Sequence, residues 1–255
     1  MRIPLTAYGR RESVWIVVLT AGAASVGWWL LPVGRPWVQV GCAMLAAGGL
    51  AFFRDPYREV PPDPDVLLAP ADGRVTDVIA CQEDEFIKGP AVRIGIFLSV
   101  FDVHINRSPC AGRVAYLRRH PGKCLNALRA AAASAQNEAQ SMGLECPSHP
   151  AGRVLVKQIT GAIARRIVCT CGVGDELAAG ERYGMIKFGS RTELFIPKDE
   201  SARIRVKKGD VVRAGLTMMV LYGADGAAVL ADCRVEPGGG GAHGGGSGEG
   251  GGVEG

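Results

Sequence analysis

The chain has 255 residues, 47% of them hydrophobic, a formal net charge of +4 and a sequence pI near 8.7. That is ample for one large domain or two small ones, and the mild charge suits an anionic membrane surface as well as nucleic acid without deciding between them. Eight cysteines, at 42, 81, 110, 124, 146, 169, 171 and 233, form no CxxC pair, so the spacing speaks for reduced core thiols rather than a metal site.

The N-terminal region predicts a membrane hairpin. No charged residue occurs from Ser13 to Gly34, and a second uncharged run spans Pro36 to Phe53, with only Arg35 between them. About 20 apolar residues cross a bilayer core, so the first run is long enough and the second just adequate. Trp28, Trp29 and Trp37 fall near the shared turn, where interfacial aromatics belong. Arg2, Arg10 and Arg11 precede the pair and Arg54 and Arg58 follow it, which places both ends in the cytoplasm. A second hydrophobic run directly after the first argues against a cleaved signal peptide.

A Pro-rich linker (REVPPDPDVLLAP) leads into a β-rich region near residue 60. VLLAP, GRVTDVIA, AVRIGIFLSV and GRVAYL read as strands, separated by Gly, Pro and Asp. Residues 123 to 141 have an Ala-rich, helical composition, though not firmly over their whole length. Strands resume with RVLVKQITG, ARRIVCTC, GMIKF, TELFIP, ARIRV and TMMVLYG, and VKKGDVVRAG reads as strand, turn and strand entry. The tail from Gly238 is mostly glycine and reads as an unstructured appendage, so its His243 is no catalytic candidate. The expected class is α+β and β-rich: a barrel-sandwich-like β domain behind an N-terminal transmembrane helical hairpin.

Three residues outside the tail could carry chemistry. His104, in FDVHINRSP, ends an apolar strand, where rigid scaffolds present functional groups; equally, it could be a half-buried histidine satisfied by Asp102 or a backbone carbonyl. Asp72, in APADGRV, could be only the Asp of an Asp-Gly turn. Ser190 follows Gly189 between two strand-like runs in GMIKFGSRTELFIP, and the plain reading of Gly-Ser there is a hairpin turn. A Ser-His-Asp hydrolase is a second reading, but FGSRT is not the GxSxG elbow. A third chemistry uses the serine differently. Its hydroxyl can attack the Gly189 carbonyl, and β-elimination then turns the resulting ester into a carboxylate and a dehydroalanine, which loses ammonia to become a pyruvoyl group.

PADGRV, FDVHINRSP, AQNE, ITGAIARRIV, GDELAAGERYGMIKFGSRTELFIP and VKKGDVVRAG occur in this order, and together they closely resemble phosphatidylserine decarboxylases of the short bacterial and archaeal branch. The resemblance covers roughly residues 50 to 223 and leaves out the Gly-rich tail. It implies a proenzyme that cuts itself between Gly189 and Ser190, giving a large β chain (1–189) and a small α chain (190–255). Ser190 would become the covalent pyruvoyl cofactor, which forms a Schiff base with phosphatidylserine and makes pyridoxal phosphate and metal unnecessary. His104 and Asp72 would be catalytic, with Asp72 orienting His104.

Where the long branch has a second histidine, this chain has Arg107, which cannot easily act as a base. Arg107 could hold a substrate carboxylate or phosphate, or be solvated. Asn137 and Glu138 match the family's NE block, a polar contact with substrate or cleavage region, or else a solvated helix end. The implied division is an anchor over 1–55, catalytic parts over 56–189 and 190–235, and a tail over 236–255. The implied place is the cell membrane with the catalytic domain in the cytoplasm, without nucleic acid and with homo-oligomerisation left open. Archaetidylserine decarboxylase and a membrane-anchored lipoyl-like carrier are the alternatives; the carrier's MKM motif is absent.

Overall fold

The computed structural model describes residues 5–31, 33–122, 136–161, 166–187 and 190–223. Two helices come first, α1 (Arg10–Leu30) and α2 (Arg35–Phe52), preceded by one 3-10 turn at Ala7–Gly9. They run antiparallel and close together: Gly27 lies against Val38 at one end and Gly49 against Ile16 at the other. Their outer faces expose Val14, Trp15, Val18, Leu19, Trp29, Met44 and Leu45, an apolar surface that no described residue covers. Among the described residues one helical segment, Ala7–Leu30, is long and apolar enough to cross a membrane. The second helix is continuous but carries Arg35 and Gln39, and it falls short of that measure.

The rest is β-structure: β1 (Val66–Leu68), β2 (Gly73–Glu83), β3 (Gly89–Leu98), β4 (Ile105–Arg107), β5 (Gly112–His120), β6 (Ala139–Cys146), β7 (Gly152–Thr160), β8 (Arg166–Cys169), β9 (Glu176–Leu177), β10 (Arg182–Lys187), β11 (Ser190–Pro197), β12 (Ala202–Ile204), β13 (Val211–Val212) and β14 (Met218–Tyr222). An eight-stranded antiparallel sheet, ordered β13-β2-β3-β11-β7-β6-β5-β9, curls into a half-barrel. Two three-stranded sheets, β4-β10-β8 and β1-β14-β12, complete the domain. The main core lies on the inner face of the large sheet, with Ile94, Ile96, Leu98, Val154, Val156, Leu194 and Ile196 all essentially inaccessible.

Two expectations change. Residues 139–141, the end of the Ala-rich stretch, open β6 rather than continue a helix; residues 123–135 lie outside the described set, as does the tail from residue 224. The strands on either side of Gly189-Ser190 form no hairpin. β10 belongs to the small sheet with β4 and β8, whereas β11 sits in the middle of the large sheet between β3 and β7. The chain changes sheets at this point. Ser190 is therefore a strand residue in the interior, not the tip of a turn.

A second cluster fastens the helices to the small sheet. Phe52 and Phe53, at the end of α2, pack with Val103, Ile105 and Met185, and Tyr8 and Ile16 border them. Polar ties add to this contact: Thr6 N donates to Phe53 O at 2.9 Å, and Lys187 Nζ donates to Glu12 Oε1 at 2.5 Å. The base of the hairpin is thus continuous with β4 and β10, the two segments that flank the candidate site.

Candidate active site

Ser190 is the first residue of β11, with Leu98 of β3 and Thr160 of β7 as its cross-strand neighbours. Its side chain is fully buried, and its Oγ has no hydrogen-bond partner among the described residues. A buried polar group without a partner costs about 1–3 kcal/mol, so such atoms persist where something else requires them. Gly189 and Phe188 lie outside the described residues. The chain on either side is held: Lys187 by Glu12, and Ser190 by two strands.

His104 stands just before β4, fully buried, with its ring against Phe52 at a centroid separation of 4.5 Å. Its Nδ1 lies 2.9 Å from the Asp102 carbonyl. A carbonyl only accepts, so Nδ1 carries the proton and Nε2 keeps its lone pair. That Nε2 is buried and unpartnered. Burial lowers the pKa of the imidazole from 6.5 to about 4, against smaller upward pulls from the Asp102 hydrogen bond and the Asp72 charge. At neutral pH His104 is an uncharged base with a free nitrogen.

A polar network links the two segments. Asn106 Nδ2 donates to Thr192 Oγ1 at 3.2 Å, and Gln158 Nε2 donates to Asn106 Oδ1 at 2.8 Å. His104 precedes Asn106 by two residues, and Ser190 precedes Thr192 by two, so Ser190 and Thr192 share one face of β11. Ile186 N also donates to His104 O at 3.3 Å. The two orphaned polar atoms therefore flank a built contact between the small and the large sheet.

Comparison with known proteins shows the family. The family model described as phosphatidylserine decarboxylase matches residues 46–220. A protein of Rhodopirellula baltica, named phosphatidylserine decarboxylase proenzyme, is 44% identical over 221 residues, covering 86% of this chain and 89% of its own length. Proteins of the same name from Carboxydothermus hydrogenoformans and Chlorobium phaeobacteroides are each 42% identical, over 86% and 84% of this chain and 98% of their own lengths. The chain belongs to the phosphatidylserine decarboxylase family.

Within this family member, the other expected residues fall in different places. Asp72 does not orient His104 through a hydrogen bond. Its carboxylate takes a bidentate pair from Arg58, at 2.6 and 2.7 Å, and Ala214 N donates to it at 2.8 Å. The Asp102 backbone carbonyl does the orienting, one of the two partners that the sequence left open for this histidine. Arg107 is not solvated. It is buried, and its guanidinium donates to Gly180 O, Pro56 O and Asp55 Oδ1 at 3.0, 3.2 and 3.3 Å, which fastens the linker to the domain. Asn137 is buried, not at a solvated helix end, and its Nδ2 donates to Thr160 O at 2.6 Å. Thr160 N and Oγ1 both donate to Glu138 O, while the Glu138 carboxylate turns away to Arg119. Asn137 and Glu138 thus bracket the strand neighbour of Ser190.

Among the described residues no group of three or more His, Cys, Asp or Glu side chains is gathered as a metal site would need. A cavity of about 260 Å³ is lined by Thr170, Cys171, Asp175, Glu176, Leu177, Glu181, Arg182 and Tyr183, none of them a candidate residue. The residue that sequence reasoning passed over is Arg191. Written in RTELFIP it looks like the polar half of an alternating strand, yet it is wholly inaccessible. Burial works to lower its pKa, but Glu193 and Asp77 reverse this and hold it above the ordinary arginine value.

Proposed function

We propose that this chain decarboxylates phosphatidylserine to phosphatidylethanolamine, using a pyruvoyl group that it makes from Ser190 by cutting its own backbone between Gly189 and Ser190. The observation that carries the reading is the Ser190 hydroxyl itself: buried, without a partner among the described residues, and placed where the chain crosses from one sheet to another. A hydrolase serine would sit against its base and open to substrate. A structural serine would be bonded.

In the cutting reaction Ser190 Oγ attacks the Gly189 carbonyl carbon, its proton passes to a base, and the amide becomes an ester with a free amine on residue 190. Removal of the residue 190 α-proton then breaks the Cβ–Oγ bond. Gly189 leaves as a carboxylate and residue 190 becomes dehydroalanine, whose imine tautomer takes up water and releases ammonia. His104 suits the role of base, since its lone pair is on Nε2 and burial keeps it neutral. Asp72 acts on it through charge alone. Asn137 and Glu138 keep Thr160, and with it the Ser190 end of β11, in place.

The residues present fit the group: position 190 is enclosed, apolar on the β3 side at Leu98, and in a region tied to His104 through Asn106 and Thr192. A ketone there would bind the substrate amine and accept the electrons freed as CO2 leaves. His104 remains as the proton donor or acceptor near it, and Phe52 keeps water from its ring.

The division expected from the sequence then follows, with residues 1–189 as the large chain and 190–255 as the small one. The apolar outer face of the helical hairpin supports a membrane location, and Arg54 and Arg58 after α2 favour a β domain in the cytoplasm. The test is CO2 release from phosphatidylserine vesicles, with a diether analogue in parallel and Ser190→Ala as control. Release from the diacyl lipid that Ser190→Ala abolishes supports the reading. Release from the diether lipid alone would make the chain an archaetidylserine decarboxylase, and none from either would overturn both.

A further inference from the structure

We propose that Arg191 is the positioning residue of the cutting reaction: it locks the register of β11 so that the Ser190 hydroxyl faces its target, and after the cut it holds the new end of the small chain. The inference rests on the proposed cut between Gly189 and Ser190.

All three nitrogens of the guanidinium are used, in four contacts. Nε donates to Glu193 Oε1 at 2.8 Å, Nη1 to Thr76 Oγ1 at 2.5 Å, and Nη2 to Asp77 Oδ2 and Oδ1 at 2.7 and 3.0 Å. Arg93 closes the cluster from the side, its Nη2 3.5 Å from Asp77 and its Nε 3.7 Å from Glu193. Two cations thus meet two carboxylates. A buried ionic cluster of this kind is poor evidence for stability, because desolvation offsets much of the attraction. What it supplies well is register. Moving β11 by one residue would turn Arg191 onto the opposite face and leave an unpaired charge in the core.

The surrounding strands are shaped for this side chain. Thr76 and Asp77 are consecutive, and on a regular strand they would point to opposite faces. The pairing of β2 with β3 shifts register between Val75 and Asp77, and the Thr76 and Asp77 side chains both reach Arg191. On β3, Gly95 stands opposite Glu193, and a Cβ there would collide with the guanidinium and lie 2.8 Å from Asp77 Oδ2. A bulge in one strand and a glycine in the next both make room for one arginine.

Its position explains the need. Ser190 and Arg191 project to opposite faces of β11, so Arg191 cannot touch the reacting atoms and acts only through the backbone. Once the bond before Ser190 is broken, residue 190 is a chain end, and chain ends are poorly ordered unless tied down. Arg191 is the first side chain after the break.

The experiment follows conversion of newly made full-length chain into two chains, in detergent, for the natural sequence, Arg191→Met, Gly95→Ala and Asp77→Asn. Only monodisperse protein with the natural circular dichroism spectrum is compared. Arg191→Met should cut about 100-fold more slowly, the scale expected when a reacting group is displaced by roughly an ångström. Hydroxylamine, which captures an ester, should release no small chain from it, because the first attack is blocked. In whatever fraction is cut, kcat for decarboxylation should fall while KM holds. A merely structural role would move the melting temperature and leave cutting rate and kcat alone. If Arg191→Met gives no folded protein, the near-isosteric Asp77→Asn decides, with about tenfold slower cutting expected. Cutting at the natural rate in folded Arg191→Met or Asp77→Asn would overturn the proposal while leaving the cut itself intact. An uncut natural chain would remove both.

Discussion

The two faces of β11 are built on opposite principles. On one face Ser190 has an idle hydroxyl, while across the sheet junction His104 Nε2 and Gln158 Oε1 are idle too, and each is buried. On the other face Arg191 and Glu193 are as deeply buried, yet each nitrogen of the Arg191 guanidinium has a hydrogen-bond partner, and the atom left idle there is Nε of the neighbouring Arg93. On the proposed reading the Ser190 face supplies a reacting group, and the Arg191 face keeps it in register. A strand that only held the sheet together would not need either.

The sharpest way to break this contrast is to remove the hydroxyl. Ser190→Ala should abolish both backbone cutting and CO2 release, with a melting temperature equal to or above that of the uncut natural chain, since an unpaired buried oxygen disappears. A Ser190→Ala protein that still decarboxylates would contradict the role of this face. His104→Ala should come next, slowing cutting about 10²- to 10⁴-fold, as loss of a general base does. Time-resolved gels measure this, and a natural rate would exclude His104 from the first step.

Asp72 separates the faces from the frame around them. Because its carboxylate binds Arg58 and Ala214 N, Asp72→Asn should destabilise the folded chain by about 1–3 kcal/mol in urea melts. Cutting should slow only a few-fold, through the lost charge near His104. A loss as large as that of His104→Ala would restore a direct catalytic contact.

The pH dependence is the smallest effect. His104 has a folded pKa of about 4, below its ordinary 6.5, so the folded state binds fewer protons than the unfolded one between those values. Its contribution to stability is complete above about pH 6.5 and is lost as pH falls towards 4. Cutting should accordingly stay level from pH 8 down to about 5 and decline below, whereas a histidine titrating at its ordinary 6.5 would already halve the rate at that pH.

Much of this was legible in the sequence, and the failures have physical causes. Strands such as AVRIGIFLSV and TELFIP announce themselves by period-two alternation. β6 did not, because Ala-rich and polar residues lead into it and its apolar half begins late. Gly189-Ser190 imitated a turn because Gly-Ser is turn chemistry, whereas strand assignment to different sheets is a tertiary fact. Arg191 escaped notice because charge in an alternating pattern normally means solvent. The clue was Gly95 inside the apolar run RIGIFL, where an isolated glycine signals close approach by another group. Ser190 and His104 were legible through the family resemblance, not through their own spacing.

The central claim is that the chain breaks before Ser190. Intact mass of the protein purified under denaturing conditions tests it directly. The account requires two chains, residues 1–189 and 190–255, the second blocked at its amino terminus and lighter than a serine terminus would make it. A single uncut chain, or a small chain beginning with an ordinary serine, would contradict it.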